Sequence, residues 1–574
     1  MDPLIENGDQ TVLSRKAKSR KRVAIISAAS IVLIGITICV VIAVVALNSS
    51  KEERVPAAEL DDPIENFCSA TLYPESCRAS LSPYLKGLSR KRPMDLFHIA
   101  LTVAVKEANK AFALASGLFK QAEDHAVRMA LQDCVELMDI THDQIDGTIS
   151  LFKRVEMKAL TGQQFGDVKA WLSAAITNME TCYDGILEKS DGIAQSQMLS
   201  SVYRAKVLAS NSLAVLVKII GADHSEKTGS NFGEIDEGFP SWVTAADRRL
   251  LRSSPNDVEA NVVVAADGSG DFKTITEAIN KAPNKSNERY VIKVKKGTYE
   301  ENVEVGKKKL NILLVGEGME DTIITGSRNV VDNATTFNSA TVAAVGMGFM
   351  AQDIAFINTA GPHKHQAVAL RVGADQSVLY RCKIAGYQDT LYVHSLRQFY
   401  RECLVLGTVD FIFGNAAVVL QNCTLLPRKP GASQKNAITA QGRTDPNQNT
   451  GISIQGCNIS ADSDLVPVKS SFPTYLGRPW KNYSRTVYMQ SYLDDVINPA
   501  GWLEWSGDFA LSTLYYGEYM NTGPGAGTES RVTWPGYHVI NSSAEASQFT
   551  VGEFIQGNDW LLTAGVEYTD GLTN

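Results

Sequence analysis

Histidine and cysteine are scarce in this 574-residue chain, with 8 and 9 copies. No HExxH run and no cluster of ligands at metal-binding spacing is present, which argues against zinc hydrolysis. There is no GxSxG elbow, which argues against a serine hydrolase of the common α/β type. An excess of positive charge is missing too. The net charge of −8 argues against nucleic acid as a partner. What remains, 44% hydrophobic and 21% charged residues, is the composition of a globular protein, and the length calls for more than one domain.

The chain begins with a basic cluster, Arg15 to Arg22, followed by an uncharged apolar run from Val23 to Leu47. About 20 apolar residues span a bilayer. The basic flank predicts a cytoplasmic tail at 1–22 and a transmembrane signal anchor, or a signal peptide, at 23–47. A buried soluble helix is the plainer reading, but the run has no residue to solvate a face. The expected route is the secretory pathway, with a membrane-anchored precursor. Cys39 lies in the apolar run; the other eight cysteines split into Cys68, Cys77, Cys134 and Cys182, then Cys382, Cys403, Cys423 and Cys457. In an oxidising lumen some should pair. Sequons at Asn284, Asn333 and Asn541 become candidate glycan sites.

Residues 60–220 carry helical periodicity, as in Leu131, Cys134, Met138 and Ile145, or Val168, Leu172, Ala175, Met179, Cys182 and Ile186. Four long amphipathic helices with short links predict an all-α four-helix bundle. Cys134 and Cys182 fall on the apolar faces of two helices and can bridge. Cys68 and Cys77 bracket a short segment and predict a local bridge. No concentration of His, Asp or Glu on an apolar face stands out, so the region reads as a packed bundle that binds something. Residues 221–256 are polar and glycine-rich and read as a linker. It contains Arg248-Arg249-Leu250-Leu251. A solvated charge run is the ordinary reading of such a cluster. Its place between two unlike domains favours a processing site for a secretory-pathway protease.

From 257 to 574 the texture becomes short, β-branched runs closed by glycine, such as RYVIKVKKG, NILLVGEG and DTIITG. One internal repeat is visible. Tyr380-Arg381-Cys382 aligns with Tyr400-Arg401-Glu402-Cys403. Glycine follows each cysteine by four residues (Gly386, Gly407) and aspartate by seven (Asp389, Asp410). Cys423 extends the column. A period of about 20 residues made of short strands is one coil of a parallel β-helix. Equivalent positions on adjacent coils stack about 4.8 Å apart. Asp389 and Asp410 should therefore project side by side, and two carboxylates that close do not both ionise readily. Turn or capping aspartates are the bland alternative. Cys403 and Cys423 stand one coil apart, which suggests a disulfide and leaves Cys382 without an assigned partner.

Paired carboxylates at this spacing fit retaining glycoside hydrolysis or ester hydrolysis through an acyl-enzyme on a carboxylate. The second chemistry needs oxyanion donors. Gln388 adjoins Asp389, and Gln366 lies about one coil earlier, so two neutral amides are available.

The segments ENFCSATLYPESC and AWLSAAITNMETCYDG resemble the plant invertase and pectin methylesterase inhibitor family. That resemblance implies a four-helix bundle able to occlude a partner enzyme. GYQDTLYVHSLRQFYR, GTVDFIFGNA, GTYEENV, QAVALR and LGRPWK resemble the motifs of plant pectin methylesterases. This second resemblance implies a right-handed parallel β-helix that removes methyl esters from cell-wall pectin without a cofactor or metal. It assigns Asp410 as nucleophile, Asp389 as acid and then base, Gln388 and Gln366 as oxyanion donors, and Arg478 as the partner that keeps Asp410 ionised. Thr336 and Trp480 become substrate-binding positions. Tyr392, Phe413 and Trp502 are candidates to line the groove. The bundle is then expected as an autoinhibitory or secretion-control pro-region, with the mature enzyme in the cell wall and a proteinaceous inhibitor as a possible partner. Two rivals stand beside this reading: a β-helix hydrolase or lyase that cuts the polysaccharide backbone, and an inhibitor module fused to an inactive domain.

Overall fold

The computed structural model describes residues 63–574 apart from 85–92, 156–158, 190–191, 221–234, 237–238, 241–258, 565 and 574. The expected tail at 1–22, the anchor at 23–47 and the Arg248–Leu251 junction lie outside the described residues. Among the described residues no helix is long and apolar enough to cross a membrane.

The N-terminal region is all-α. Two short helices, α1 (Pro63–Cys68) and α2 (Pro74–Leu81), precede four long ones, α3 (Pro93–Gln121), α4 (His125–Phe152), α5 (Gly162–Lys189) and α6 (Gly192–Val215). Each long helix packs against two of the others and so closes a ring around one apolar core. The start of α4 is set by Asp124, whose carboxylate accepts from the Val127 amide at 2.9 Å, the usual way to satisfy an orphan first-turn donor. Disulfides Cys68–Cys77 and Cys134–Cys182 tie α1 to α2 and α4 to α5.

The C-terminal region is a parallel β-helix of three sheets with 11, 8 and 7 strands. Its core is filled by inward β-branched and leucine side chains, stacked coil on coil. The spacing between paired strands is uneven. Val378 pairs with Phe399 and Phe399 with Val419, but Met350 pairs back to Leu313 and Val419 forward to Ser453. The period near 20 residues thus holds only where no loop is inserted between strands. The outer face of the 11-stranded sheet is covered by C-terminal helices through Phe549, Val551, Ile555 and Leu561. The outer face of the 7-stranded sheet offers Ala343, Tyr392, Phe413 and Ala440, which join the apolar core of the helical bundle.

One expectation fails. Cys403 and Cys423 do not form a disulfide; both are buried free thiols, as are Cys382 and Cys457. In-register partners on parallel strands point their side chains the same way. Their Cβ atoms therefore stay near the ~4.8 Å strand spacing, beyond the ~3.5–4.5 Å that a disulfide takes. The thiols are instead satisfied by backbone: Cys403 Sγ donates to Leu379 O at 3.4 Å and Cys457 Sγ to Leu420 O at 3.4 Å.

Candidate active site

The site lies on the outer face of the 7-stranded sheet. Leu391 pairs with Leu370 on one side and Ile412 on the other. That register puts Asp389 and Asp410, each two residues before its strand, at the same corner of adjacent coils. Both adopt the left-handed conformation, with φ of 63° and 53°. Such backbone costs on the order of 1 kcal/mol in most residues but is tolerated by aspartate. The repeated glycine has a steric cause here. A Cβ on Gly407 would stand 2.2 Å from Phe411 Cβ and 2.6 Å from Thr390 Oγ1, and one on Gly386 would stand 2.9 Å from Thr390 Oγ1.

Asp389 is 7% and Asp410 5% exposed, yet their surroundings differ. Arg478 reaches Asp410 with a two-pronged contact, Nε to Oδ1 at 2.7 Å and Nη2 to Oδ2 at 2.7 Å. Among the described residues Asp389 has no such partner. Burial, and then the Asp410 charge, hold the Asp389 carboxyl well above its ordinary range. Burial lifts Asp410 as well, but Arg478 opposes that pull.

Around the pair is a cavity of about 250 Å³. Gln366 and Gln388 both line it, and among the described residues neither side-chain amide is engaged in a hydrogen bond. Thr336, Tyr392, Phe413 and Trp480 line it as well. Tyr392 and Phe413 occupy the same position on adjacent coils and stack with centroids 4.1 Å apart. Trp480 closes on Phe413 edge-on at 5.9 Å.

Trp502 does not belong to this groove. It is 1% exposed, stacks on Tyr516 at 4.2 Å and donates to Glu518 inside the β-helix. The wall it was expected to form is made by Trp505, whose ring lies 4.4 Å from the Arg478 guanidinium carbon. Nothing in the sequence distinguished the two tryptophans.

The remaining wall comes from the helical bundle, and this the sequence reading missed. Asp133, Thr181, Asp184, Gly185 and Glu188 of α4 and α5 line the same cavity as Asp389 and Asp410. Asp133 accepts from Thr335 Oγ1 at 2.5 Å and also from Asn338. Lys481 donates to Glu180 at 2.9 Å and to Asp184 at 2.9 Å. Arg397 joins Asp167 of α5 to Asp375 of the β-helix, both at 2.7 Å. Thr181 Oγ1 meets His394 Nε2 at 2.9 Å, and burial pushes that imidazole down to about 3. The acids therefore do gather on one face of the bundle. They were illegible because the β-helix partners of Asp133, Asp167 and Asp184 lie more than 200 residues away in sequence.

Comparison with known proteins agrees with this geometry. The family described as Pectinesterase matches residues 261–558, and the family described as Plant invertase/pectin methylesterase inhibitor matches residues 62–215. The chain belongs to the pectinesterase family. A "Pectinesterase/pectinesterase inhibitor" of Ficus pumila var. awkeotsang is 53% identical over 507 residues, covering 88% of this chain and 91% of the relative. "Pectinesterase/pectinesterase inhibitor 18" of Arabidopsis thaliana is 51% identical over 512 residues, with 88% and 90% covered. The solved structure of pectin methylesterase from carrot is 65% identical, with TM-score 0.55, and covers 55% of this chain and 99% of its own. As a pectinesterase the chain is a carboxylic ester hydrolase with an inhibitor-like N-terminal domain.

Proposed function

We propose that the chain hydrolyses the methyl esters of pectin through a covalent intermediate on Asp410, and that the bundle holds the enzyme closed until it is released. The observation that carries the reading is the asymmetry of the stacked pair, with Arg478 clamped on Asp410 and, among the described residues, no such clamp on Asp389. Arginine does not lose its proton, so Asp410 is the carboxylate kept ionised. Burial beside that charge keeps Asp389 protonated. Asp410 attacks the ester carbonyl carbon. The carbonyl oxygen takes the negative charge, and the amides of Gln366 and Gln388 donate to it. Collapse breaks the bond to methoxide, and Asp389 supplies the proton, so methanol leaves. The ionised Asp389 then takes a proton from water, whose oxygen attacks the acyl carbon and frees Asp410. The polymer retains a carboxylate, and no cofactor enters. Thr336, Trp480, Tyr392 and Phe413 supply the surface for the sugar; aromatic faces suit sugar rings.

Room for a polymer is lacking while the bundle is docked. The cavity of about 250 Å³ is below the roughly 300–1,000 Å³ of pockets that take drug-sized ligands. Cleavage near Arg248–Leu251 by a secretory protease would free the groove, with the mature enzyme acting in the cell wall. The test is methanol release from methyl-esterified pectin by the intact chain and by the chain cut in the 221–256 linker. The cut chain should gain activity, with polymer length unchanged. Equal activity before and after cutting sinks the closed-precursor reading. Shortened polymer without methanol would instead favour a backbone-cleaving enzyme.

A further inference from the structure

A second cavity, of about 260 Å³, lies at the other end of the junction between the bundle and the β-helix. One wall is α5, with Gly166 and Lys169; the other is the β-helix, with Arg443 and Arg485. Three cations thus face one small space. Among the described residues none of them makes a salt bridge, whereas Arg371, Arg397 and Lys481 elsewhere on the junction each pair with an acid of the bundle. Arg443 Nε is buried with no hydrogen-bond partner. Arg485 is held by Nε donating to Thr450 O at 2.8 Å, and its guanidinium lies 5.2 Å from the Phe554 ring centre. Asn449 and Gln548, whose side-chain amides make no hydrogen bond among the described residues, lie in the lining, and Glu553, an exposed residue, supplies its one carboxylate.

Charges taken out of water are ordinarily paired, because the desolvation cost is otherwise uncompensated. All three are half-buried. Burial, and then the charges of Arg485 and Arg443, push Lys169 down to about 8, while burial alone, against the nearby Asp445, pushes Arg443 down to about 10. Among the described residues the one lining carboxylate, the exposed Glu553, makes no salt bridge to any of the three. Two guanidinium groups and an ammonium, with amide donors at the rim, match a compact oxyanion.

We propose that this cavity is a binding site for a compact oxyanion, either free inorganic phosphate or a carboxylate of the demethylated polymer, and that the bound anion bridges the bundle to the β-helix. The carboxylate source rests on the pectin reading; the phosphate source does not. An occupied site stabilises the closed form, since Lys169 comes from one region and Arg443 and Arg485 from the other.

The test is thermal unfolding of the intact chain in chloride, in inorganic phosphate and in trigalacturonate, at matched pH and ionic strength, for wild type and Lys169→Gln. Phosphate or trigalacturonate should raise the wild-type Tm by on the order of 2 °C. Lys169→Gln should remove that rise, and in chloride should melt no lower than wild type because a repulsion is gone. Titration calorimetry with phosphate on Arg443→Gln gives an independent reading, with binding weakened at least about tenfold. A rise with phosphate identifies a free anion; a rise confined to trigalacturonate and sensitive to Lys169→Gln identifies the polymer. No rise with either, or the same rise in wild type and Lys169→Gln, overturns the site.

Discussion

The helical bundle and the β-helix are held together in opposite ways. The bundle has two disulfides across helices that could otherwise slide, and among the described residues the β-helix has none. Its coils are fixed by backbone ladders in strict register, and its four thiols sit in a column without pairing. The same contrast governs charge. On the β-helix, Asp410 finds Arg478 within its own region. On the bundle, Asp133, Asp167 and Asp184 find their partners only across the junction. Chemistry that needs atoms placed to a fraction of an ångström resides on the register-fixed part. The part whose contacts depend on docking is the cover.

The largest way to break this comparison is to remove the asymmetric pair. Asp410→Ala, measured as methanol release by the chain cut in its linker, should lose on the order of 10⁴-fold or more in kcat. Activity within tenfold of wild type would remove Asp410 from the nucleophile's role.

Reduction comes next. The Cys134–Cys182 bridge closes a loop with sequence separation 48. Its loss is worth about 4 kcal/mol by chain entropy. Reductant should lower the unfolding temperature of the bundle and leave that of the β-helix unchanged. A matching loss in the β-helix would mean that its thiols pair after all. Gln388→Ala should then cost about 10²–10³-fold in kcat with little change in KM, as expected for a donor engaged mainly in the transition state. A rise in KM alone would make Gln388 a ground-state contact.

How much of this could be read from the chain follows from distance along it. The Asp389–Asp410 stack was legible because the two coils are joined without an inserted loop, so register appears as a repeated Cys-Gly-Asp spacing. Neighbouring coils carry insertions, and no repeat survives in them. The helical region was legible from its apolar periodicity. The acidic face of the bundle was not, since Asp133 meets Thr335 and Arg397 meets Asp167 only after both regions have folded. The Cys403–Cys423 expectation failed for a related reason. Closeness in register was read from the repeat, but the direction of the two side chains was not, and parallel strands aim them alike. Trp502 was displaced from the groove by burial, which a lone tryptophan in sequence does not announce.

The smallest expected effect is the most informative about the junction, because it tests whether the cover is pH-sensitive while the register is not. Burial raises Asp133 to about 8, against the pull of its Thr335 and Asn338 donors, and raises Asp184 to about 6 against Lys481. Both ordinary values are 3.8. A carboxyl whose pKa is raised by docking binds a proton that the released form gives up. Its stabilising effect is complete below about pH 4 and is lost as pH rises through about 6 for Asp184 and about 8 for Asp133. The bundle, cut from the β-helix but left in solution with it, should therefore co-elute in gel filtration near pH 5 and separate progressively towards pH 8. Asp133→Asn keeps the hydrogen-bonding shape without the ionisation and should flatten the upper part of that profile. Tighter association at pH 8 than at pH 5 would reverse the sign. It would mean that the ion pairs of Lys481 and Arg397, and not the buried carboxyls, set the strength of the cover.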